Sequence, residues 1–187
     1  MKRISTDIFI AGGGVAGLTA AAAFGTAGFD VTIVDPTPPI MAANAHGADL
    51  RTTAFLQPAQ QFLATAGLWD HLAPHAAPLQ IMRIVDAASD PHITRDFDAA
   101  DISDKPFGWN LPNWLLRREM VARLDALPNV DFRPGTGFKS MLARDKSVIV
   151  TLSDASQLDA RLVIGADGRG SAVRGAAGIR VKTSRYG

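Results

Sequence analysis

The sequence predicts an α/β fold that begins with a strand, a glycine-rich turn, a helix and a second strand. Residues 7–11, Asp-Ile-Phe-Ile-Ala, form a short apolar run that is typical of a strand buried on both faces. Residues 12–17 read Gly-Gly-Gly-Val-Ala-Gly, and the Ala-rich run of residues 18–27 favours a helix. Residues 31–34 are rich in β-branched side chains and predict the next strand, which Asp35 closes.

Length and composition are those of an ordinary globular chain. The 187 residues correspond to about one domain and can bury a core. The 19 basic and 18 acidic side chains leave a formal net charge of +1, which gives no reason to expect a nucleic-acid partner. The sequence has no cysteine, and this excludes disulfides, thiolate metal sites and a cysteine nucleophile.

The stretch from Ile8 to Phe29 has no charged residue and could be mistaken for a transmembrane helix or a signal peptide. Three consecutive glycines, Gly12 to Gly14, interrupt this stretch. Such a break suits a membrane-spanning helix poorly. The strand–turn–helix interpretation is therefore preferred over a membrane span.

Gly12, Gly14 and Gly17 satisfy the pattern G-x-G-x-x-G, in which each glycine has a separate structural role. The first glycine permits a tight turn, the second lets a pyrophosphate approach the backbone, and the third lets the helix pack closely. The N-terminus of the helix then offers unpaired N–H groups and partial positive charge to phosphates. The motif therefore predicts a dinucleotide site in a Rossmann-like unit.

Asp35 lies at the end of the second predicted strand, where an acidic side chain can accept hydrogen bonds from an adenosine ribose. Its charge would repel a 2′-phosphate, which disfavours NADP in this first site. An adenine dinucleotide is preferred over the alternative of a glycine-rich turn without a ligand. The motif alone does not separate FAD from NAD.

After Asp35 the sequence departs from the short βα alternation of a simple NAD dehydrogenase. Residues 37–50 read as a loop, and Asn113 is the predicted N-cap of an amphipathic helix. Helices are predicted at 58–65, 68–72, 114–127 and 171–176, and strands at 81–85, 93–97, 130–133, 137–143, 147–152 and 158–164.

Two further groups of residues have side chains suited to ligand binding. In Gly165-Ala-Asp-Gly168, Asp167 follows a strand, at the sheet edge where open α/β sheets bind ligands. Arg174 could reach a phosphate or clamp Asp167. Arg51 lies in the predicted loop and suits phosphate or ring contact. The alternatives are an Asp-Gly turn beside a surface arginine, and a solvated loop arginine.

Taken together, these motifs resemble a known family. G-G-G-V-A-G at residues 12–17, D-L-R-T-T-A-F at 49–55, N-W-L-L-R-R-E-M-V-A-R-L at 113–124 and G-A-D-G-R-G-S-A-V-R at 165–174 occur in the family's order. They are similar to the class A flavin-dependent aromatic hydroxylases, which have the p-hydroxybenzoate-hydroxylase-like fold. The run L-W-D-H-L at 68–72 adds a likeness to the ubiquinone-biosynthesis hydroxylases within that family.

The resemblance implies which residues contact FAD. The glycine-rich turn would hold the pyrophosphate, Asp35 the ribose, and Arg51 the flavin or its phosphates. Arg117, in preference to Arg118, matches the family's FAD-contacting arginine, and Asp167 would serve both FAD and the passing NADPH. The complete predicted set is Gly12, Gly13, Gly14, Val15, Ala16, Gly17, Asp35, Arg51, Arg117, Asp167 and Arg174. No side chain is predicted to act as a nucleophile.

The resemblance also implies an activity. It points to an FAD-dependent monooxygenase that uses NADPH or NADH and molecular oxygen to hydroxylate an aromatic ring, with a ubiquinone precursor as the expected substrate. No nucleic-acid partner and no metal are expected, and a metal pair of His71 and His75 is disfavoured because Pro74 interrupts their helix. A cytoplasmic location is expected, with peripheral association at the inner face of the membrane or in a biosynthetic complex as a further expectation.

One part of the family pattern is absent from the sequence. A second flavin motif, resembling G-D-A-A-H, is expected late in the family, and residues 171–187 do not contain it. The resemblance therefore covers the N-terminal portion of such an enzyme. The expected division is a first FAD-binding part at 1–75, the start of a β-rich substrate domain at 76–106, and a second FAD-binding part at 107–187. A non-catalytic dinucleotide-binding fragment and an NAD-dependent dehydrogenase remain alternatives.

Overall fold

The computed structural model describes residues 4–88 and 90–185, which include eleven strands and five α-helices. The strands are β1 (Ile4–Ala11), β2 (Val31–Asp35), β3 (Thr52–Leu56), β4 (Ala77–Leu79), β5 (Ile81–Asp86), β6 (Ile93–Asp98), β7 (Gly108–Pro112), β8 (Val130–Pro134), β9 (Phe138–Ala143), β10 (Val148–Leu152) and β11 (Gln157–Gly165). The helices are α1 (Val15–Thr26), α2 (Gln57–Thr65), α3 (Trp69–Leu72), α4 (Asn113–Asp125) and α5 (Ala172–Ala176). The outer ends of the first and third predicted segments, residues 1–3 and 186–187, lie outside the described residues.

A six-stranded sheet with the order β8-β2-β1-β11-β10-β9 organises the chain. Strands β8, β2, β1 and β11 run parallel to one another. Strand β10 then pairs antiparallel with β11, and β9 pairs antiparallel with β10. The central strand β1 is paired on both sides, with Ile8 opposite Val31 of β2 and Leu162 of β11. This position explains the uncharged run of residues 8–11, because a central parallel strand is covered on both faces.

Helices and strand residues bury both faces of this sheet. On one face, α1 and α4 pack against Ile8, Ile10 and Ile33, and the buried helical side chains are Leu18, Leu116, Met120 and Leu124. On the other face, Phe9 and Val34 pack with Val173 of α5 and with β10 and β11. Alternate residues of β1 therefore enter two separate cores, as the period of a strand requires.

The strand–turn–helix–strand prediction is confirmed, with two corrections at helix ends. Helix α1 begins at Val15 rather than at Leu18, because Gly14 occupies the N-cap position with extended backbone. The predicted N-cap role of Asn113 is wrong. Pro112 occupies that position, and the Asn113 side chain instead accepts from the Thr53 hydroxyl at 2.6 Å.

A three-stranded antiparallel sheet, in the order β3-β7-β4, was not anticipated from the sequence. Each strand has three to five residues, so an apolar–polar alternation hardly develops. Strand β3 comes from the predicted first segment, β4 from the second and β7 from the third. This small sheet therefore ties together parts of the chain that the predicted domain division separates.

The strands predicted at 81–85 and 93–97 form an antiparallel hairpin of β5 and β6. Strand β5 is exposed along its whole length. The apolar side chains that the hairpin presents are between 50% and 62% exposed: Ile81, Met82, Ile84, Val85 and Ile93. Arg83 and Asp96 form a bidentate ion pair across the hairpin, with both N–O distances at 2.7 Å. The hairpin pairs only with itself in the described part of the chain.

The uncharged N-terminal stretch divides between β1 and α1. Across residues 4–88 and 90–185, no helix is both long enough and apolar enough to cross a membrane.

Candidate functional site

A cleft with a volume of about 550 Å³ lies at the carboxyl ends of the parallel strands. It lies where β1, β2 and β11 end, which is the edge at which open α/β sheets bind ligands. Its walls come from the glycine-rich turn, the end of β2, the turn after β11 and the start of β9. The lining residues include Gly12, Gly14, Asp35, Pro36, Gly137, Phe138, Ser153, Asp167, Gly168 and Gly170.

The three glycines of the motif have different surroundings. Gly12 has φ of +113°, and a Cβ there would collide with the carbonyl group of Ala166. A Cβ at Gly17 would collide with the carbonyl oxygen of Gly12, so the helix packs against the turn itself. A Cβ at Gly14 would meet no atom within 4 Å. Gly12 and Gly17 thus shape the turn, whereas Gly14 leaves open space at the cleft.

The N-terminus of α1 faces this open space. Gly14 has no side chain to cap the helix, and the N–H groups of a first helical turn have no partner within the helix. No acidic side chain lies in the first turn of α1, so nothing there offsets the positive end of the helix dipole. Of the predicted pyrophosphate contacts, Gly12 and Gly14 line this cleft, and Gly13 lines a smaller cavity beside it. Val15 and Ala16 line a separate cavity along α1.

Asp35 lies beside the glycine-rich turn. Its Oδ2 accepts a hydrogen bond from the Gly13 N–H at 2.6 Å, and its Oδ1 accepts from the Thr37 N–H at 2.8 Å. A carboxylate oxygen can accept more than one hydrogen bond, so the group can also accept from a ribose hydroxyl. Asp35 therefore fixes the glycine turn to β2 while it lines the cleft.

Asp167 is held at the opposite wall by the start of α5. Its Oδ1 accepts from the Ser171 hydroxyl, and its Oδ2 accepts from the Val173 N–H at 3.1 Å. Burial alone would raise the pKa of Asp167, but these hydrogen bonds outweigh burial and hold that pKa below its ordinary value. Arg174 does not clamp Asp167 as one alternative proposed, because its Nη2 donates to the Arg169 carbonyl at 2.9 Å.

Replacing Asp167 by asparagine should lower the free energy of unfolding at pH 7 by about 1–2 kcal/mol, because an amide has one uncharged acceptor oxygen where the carboxylate uses both of its oxygens to accept. The folded-state pKa lies below the unfolded value, so this contribution is complete above the unfolded pKa and is lost as pH falls through the folded one. Urea unfolding at pH 7 and at pH 3 should show that the difference in the free energy of unfolding between wild type and D167N is smaller at pH 3. An equal difference at both pH values would contradict this assignment.

Arg51 and Arg117 converge on Asp49, and with Asn113 they form what we call the Asp49 cluster. Arg51 makes a bidentate ion pair with Asp49, with both N–O distances at 2.8 Å. Arg117 Nη2 lies 3.9 Å from Asp49 Oδ2. Arg117 also lines a smaller cavity of about 150 Å³ with Gly13, Gly14 and Asp35. The structure therefore places Arg117 beside the glycine turn.

Arg118 makes different contacts from Arg117. Its guanidinium pairs with Glu119 at 2.7 Å and lies 5.4 Å from the centre of the Trp114 ring. Arg51 is 83% exposed and pairs with Asp49, and the residues that line the two cavities include Arg117 but not Arg51. In the described residues, no three His, Cys, Asp or Glu side chains are placed to hold a metal ion.

Sequence reasoning missed one wall of the cleft. Gly137, Phe138 and Ser153 line it from β9 and the turn after β10, and Ser153 Oγ accepts from the Gly137 N–H at 2.9 Å. The Phe138 ring lies 6.3 Å from the ring of Phe9 in β1. These residues carry no local signal, because they reach the cleft only through the antiparallel half of the sheet.

The fold and this cleft define a Rossmann-like dinucleotide-binding protein. Comparison with known families gives a match to the family described as FAD binding domain over residues 5–186. The chain therefore belongs to the FAD binding domain family. The open space at Gly14 and the uncapped start of α1 fit the diphosphate of that cofactor.

Two curated relatives are ubiquinone-pathway enzymes by name. The chain is 36% identical over 181 residues to ubiquinone hydroxylase UbiL of Rhodospirillum rubrum, covering 97% of this chain and 41% of the relative. It is 29% identical over 187 residues to 3-demethoxyubiquinol 3-hydroxylase of Escherichia coli, covering 100% of this chain and 47% of the relative. The chain thus spans a little less than half the length of these relatives.

Solved structures show the same fold. The chain superposes on p-nitrophenol 4-monooxygenase PnpA from Pseudomonas putida with a TM-score of 0.76 and 23% identity, covering 95% of this chain and 44% of that one. It superposes on the flavin-dependent monooxygenase PieE, solved with FAD and substrate, with a TM-score of 0.77 and 24% identity, covering 98% of this chain and 34% of that one. This likeness confirms the predicted α/β dinucleotide-binding fold.

Proposed function

We propose that this chain binds FAD for a monooxygenase that hydroxylates an aromatic ring, with a ubiquinone precursor as the substrate. The single observation that carries the proposal is the cleft in which Gly14 leaves open space at the start of α1, between Asp35 and Asp167. Family membership and the printed names of the two relatives support the cofactor and the reaction class.

Each predicted site residue has a proposed task in holding FAD. The N–H groups of the glycine turn and of Val15 and Ala16 would bind the diphosphate, and Asp35 would accept from the adenosine ribose. Arg117 would add positive charge beside the diphosphate. Arg51, Asp167 and Arg174 complete the proposed set. Bound FAD would supply the redox and oxygen chemistry, so the protein's tasks are binding, orientation and exclusion of water.

The proposed co-substrates are NADPH or NADH and molecular oxygen. We also propose that the enzyme is cytoplasmic and associates peripherally with the inner face of the membrane or with a biosynthetic complex. Either association would bring it close to prenylated substrates. The exposed apolar hairpin β5–β6 lies within residues 76–106, which we propose as the start of the β-rich substrate domain.

Binding of FAD to the 187-residue chain is the direct test. Titration of FAD should quench flavin fluorescence to a saturable one-site endpoint, whereas NAD should compete poorly because it lacks the flavin half. Tight NAD binding without FAD uptake would overturn the proposal in favour of an NAD-dependent dehydrogenase.

Turnover is a separate measurement on the FAD-loaded chain. Oxidation of NADPH that depends on a prenylated phenol would support the complete reaction. FAD binding without such oxidation would limit the role of this chain to cofactor binding.

A further inference from the structure

The Asp49 carboxylate accepts four hydrogen bonds, although the residue lies in a loop. Its carboxylate accepts from Arg51 Nε and Nη2 at 2.8 Å, from the Arg51 N–H at 3.2 Å, and from Asn113 Nδ2 at 3.0 Å. The side chain is only 14% exposed, although its neighbour Arg51 is in solvent. This carboxylate therefore fastens residues 49–51 to the first turn of α4.

Asn113, which donates to Asp49, is itself held by two further hydrogen bonds. Asn113 Oδ1 accepts from the Thr53 hydroxyl at 2.6 Å, and the Asn113 N–H donates to the Arg51 carbonyl at 2.9 Å. Asn113 and Arg117 are four residues apart in α4 and so share one face of that helix. Both point towards Asp49, and Arg117 continues to the cavity beside Gly13 and Gly14.

The electrostatics suit an anion at this cavity. Hydrogen bonds from Arg51 and Asn113 hold the pKa of Asp49 well below its usual range, so the group stays ionised at all working pH values. Two arginines share this one carboxylate, which leaves the Asp49 cluster with an excess positive charge near the N-terminus of α1. The ion pair of Arg117 with Asp49, at 3.9 Å, restricts the guanidinium, so the side chain would lose less conformational freedom when it binds a phosphate.

We propose that Asp49 is a positioning residue that holds Arg117 ready for the diphosphate of the bound dinucleotide. Asp49 itself does not touch the ligand. The inference rests on the proposed function, since it assumes that the cavity beside Gly13 and Gly14 takes the diphosphate. It adds a specific residue to the site and a specific ligand group on which that residue acts.

The test compares ADP with adenosine, because only ADP carries the diphosphate. Affinities for both ligands are measured by isothermal titration calorimetry on the 187-residue chain and on Asp49→Asn. We expect D49N to weaken ADP by about tenfold and adenosine by less than twofold. Asp96→Asn is the matched control, since it breaks an equally short bidentate pair on the β5–β6 hairpin and should change neither affinity.

A double-mutant cycle shows whether Asp49 acts through Arg117. Arg117→Gln should also weaken the binding of ADP more than that of adenosine. Adding D49N to R117Q should reduce the affinity for ADP much less than D49N alone reduces it in the wild type. Thermal melting checks that each variant is folded. If D49N does not fold, R117Q still tests the inference, because it must show the same selectivity for ADP.

The outcomes separate the two proposals. If wild type binds neither ADP nor FAD, the proposed function fails and the inference fails with it. The inference alone is overturned if wild type binds ADP but D49N and R117Q lose affinity for ADP and adenosine to the same extent. It is also overturned if both variants bind ADP and adenosine as tightly as D96N does.

Discussion

Replacing Gly17 by alanine should lower the free energy of unfolding by about 3 kcal/mol, because overpacking of a tight site costs roughly 1–3 kcal/mol and a backbone carbonyl gives way less readily than a side chain. The added Cβ would collide with the Gly12 carbonyl oxygen, which belongs to a turn that also meets Ala166. For a chain of this size the loss corresponds to a melting temperature about 10 °C lower. Thermal and urea unfolding followed by circular dichroism measure it.

Gly175→Ala is the matched control for this effect. Gly175 lies in α5, and a Cβ there would meet no atom within 4 Å. The better helix propensity of alanine should leave the stability unchanged or raise it by up to about 1 kcal/mol. If G17A unfolds at the same temperature as G175A, then the close approach of helix and turn does not constrain this position.

Replacing Gly14 by alanine should weaken FAD binding by about two orders of magnitude with little loss of stability. The backbone there has φ of −76°, which alanine adopts readily, and a Cβ would meet no protein atom within 4 Å. In the complex, that Cβ would occupy the space through which the diphosphate approaches the backbone. A steric cost of about 3 kcal/mol corresponds to a factor of roughly 100 in the dissociation constant.

The measurement is FAD titration of wild type and G14A, together with unfolding in the absence of ligand. Loss of a glycine N-cap should cost the free protein at most about 1 kcal/mol. Gly170→Ala makes a useful comparison, since Gly170 also lines the cleft with nothing within 4 Å but lies away from the turn. Unchanged FAD affinity in G14A would mean that the diphosphate does not pass Gly14.

The parts of the fold that sequence predicted well are those with a local signal. The strand, turn and helix around Gly12 to Gly17 combine an apolar run, glycine spacing and helix propensity, so their prediction is confirmed. The β5–β6 hairpin and the strands from Val130 onward also carried their own apolar patterns, and the structure contains them.

The parts that were missed depend on pairing between distant residues. Thr52–Leu56 becomes a strand only because residues 108–112 lie beside it. The cleft wall formed by Phe138 and Ser153 exists because β9 and β10 extend the sheet beyond β11. Asn113 satisfied the rule for an N-cap, but hydrogen bonds to Thr53 and Asp49 use its side chain elsewhere. No single stretch of sequence encodes any of these arrangements.

The strand order of the main sheet also bears on how the chain acquires its structure during synthesis. Strand β1 pairs along one edge with β11, where Ile4 lies opposite Leu158, so this pairing cannot form until the ribosome has added the 154 residues that follow Ile4. Such long-range pairing is slow to form, because a large loop must close before any contact repays it. Until residue 165 has emerged, β1 keeps an unpaired apolar edge of the kind that invites association with other chains. The nascent protein therefore exposes this edge until β11 has been made, and the cleft, which is lined in part by Asp167 and Gly168 after β11, cannot form before then.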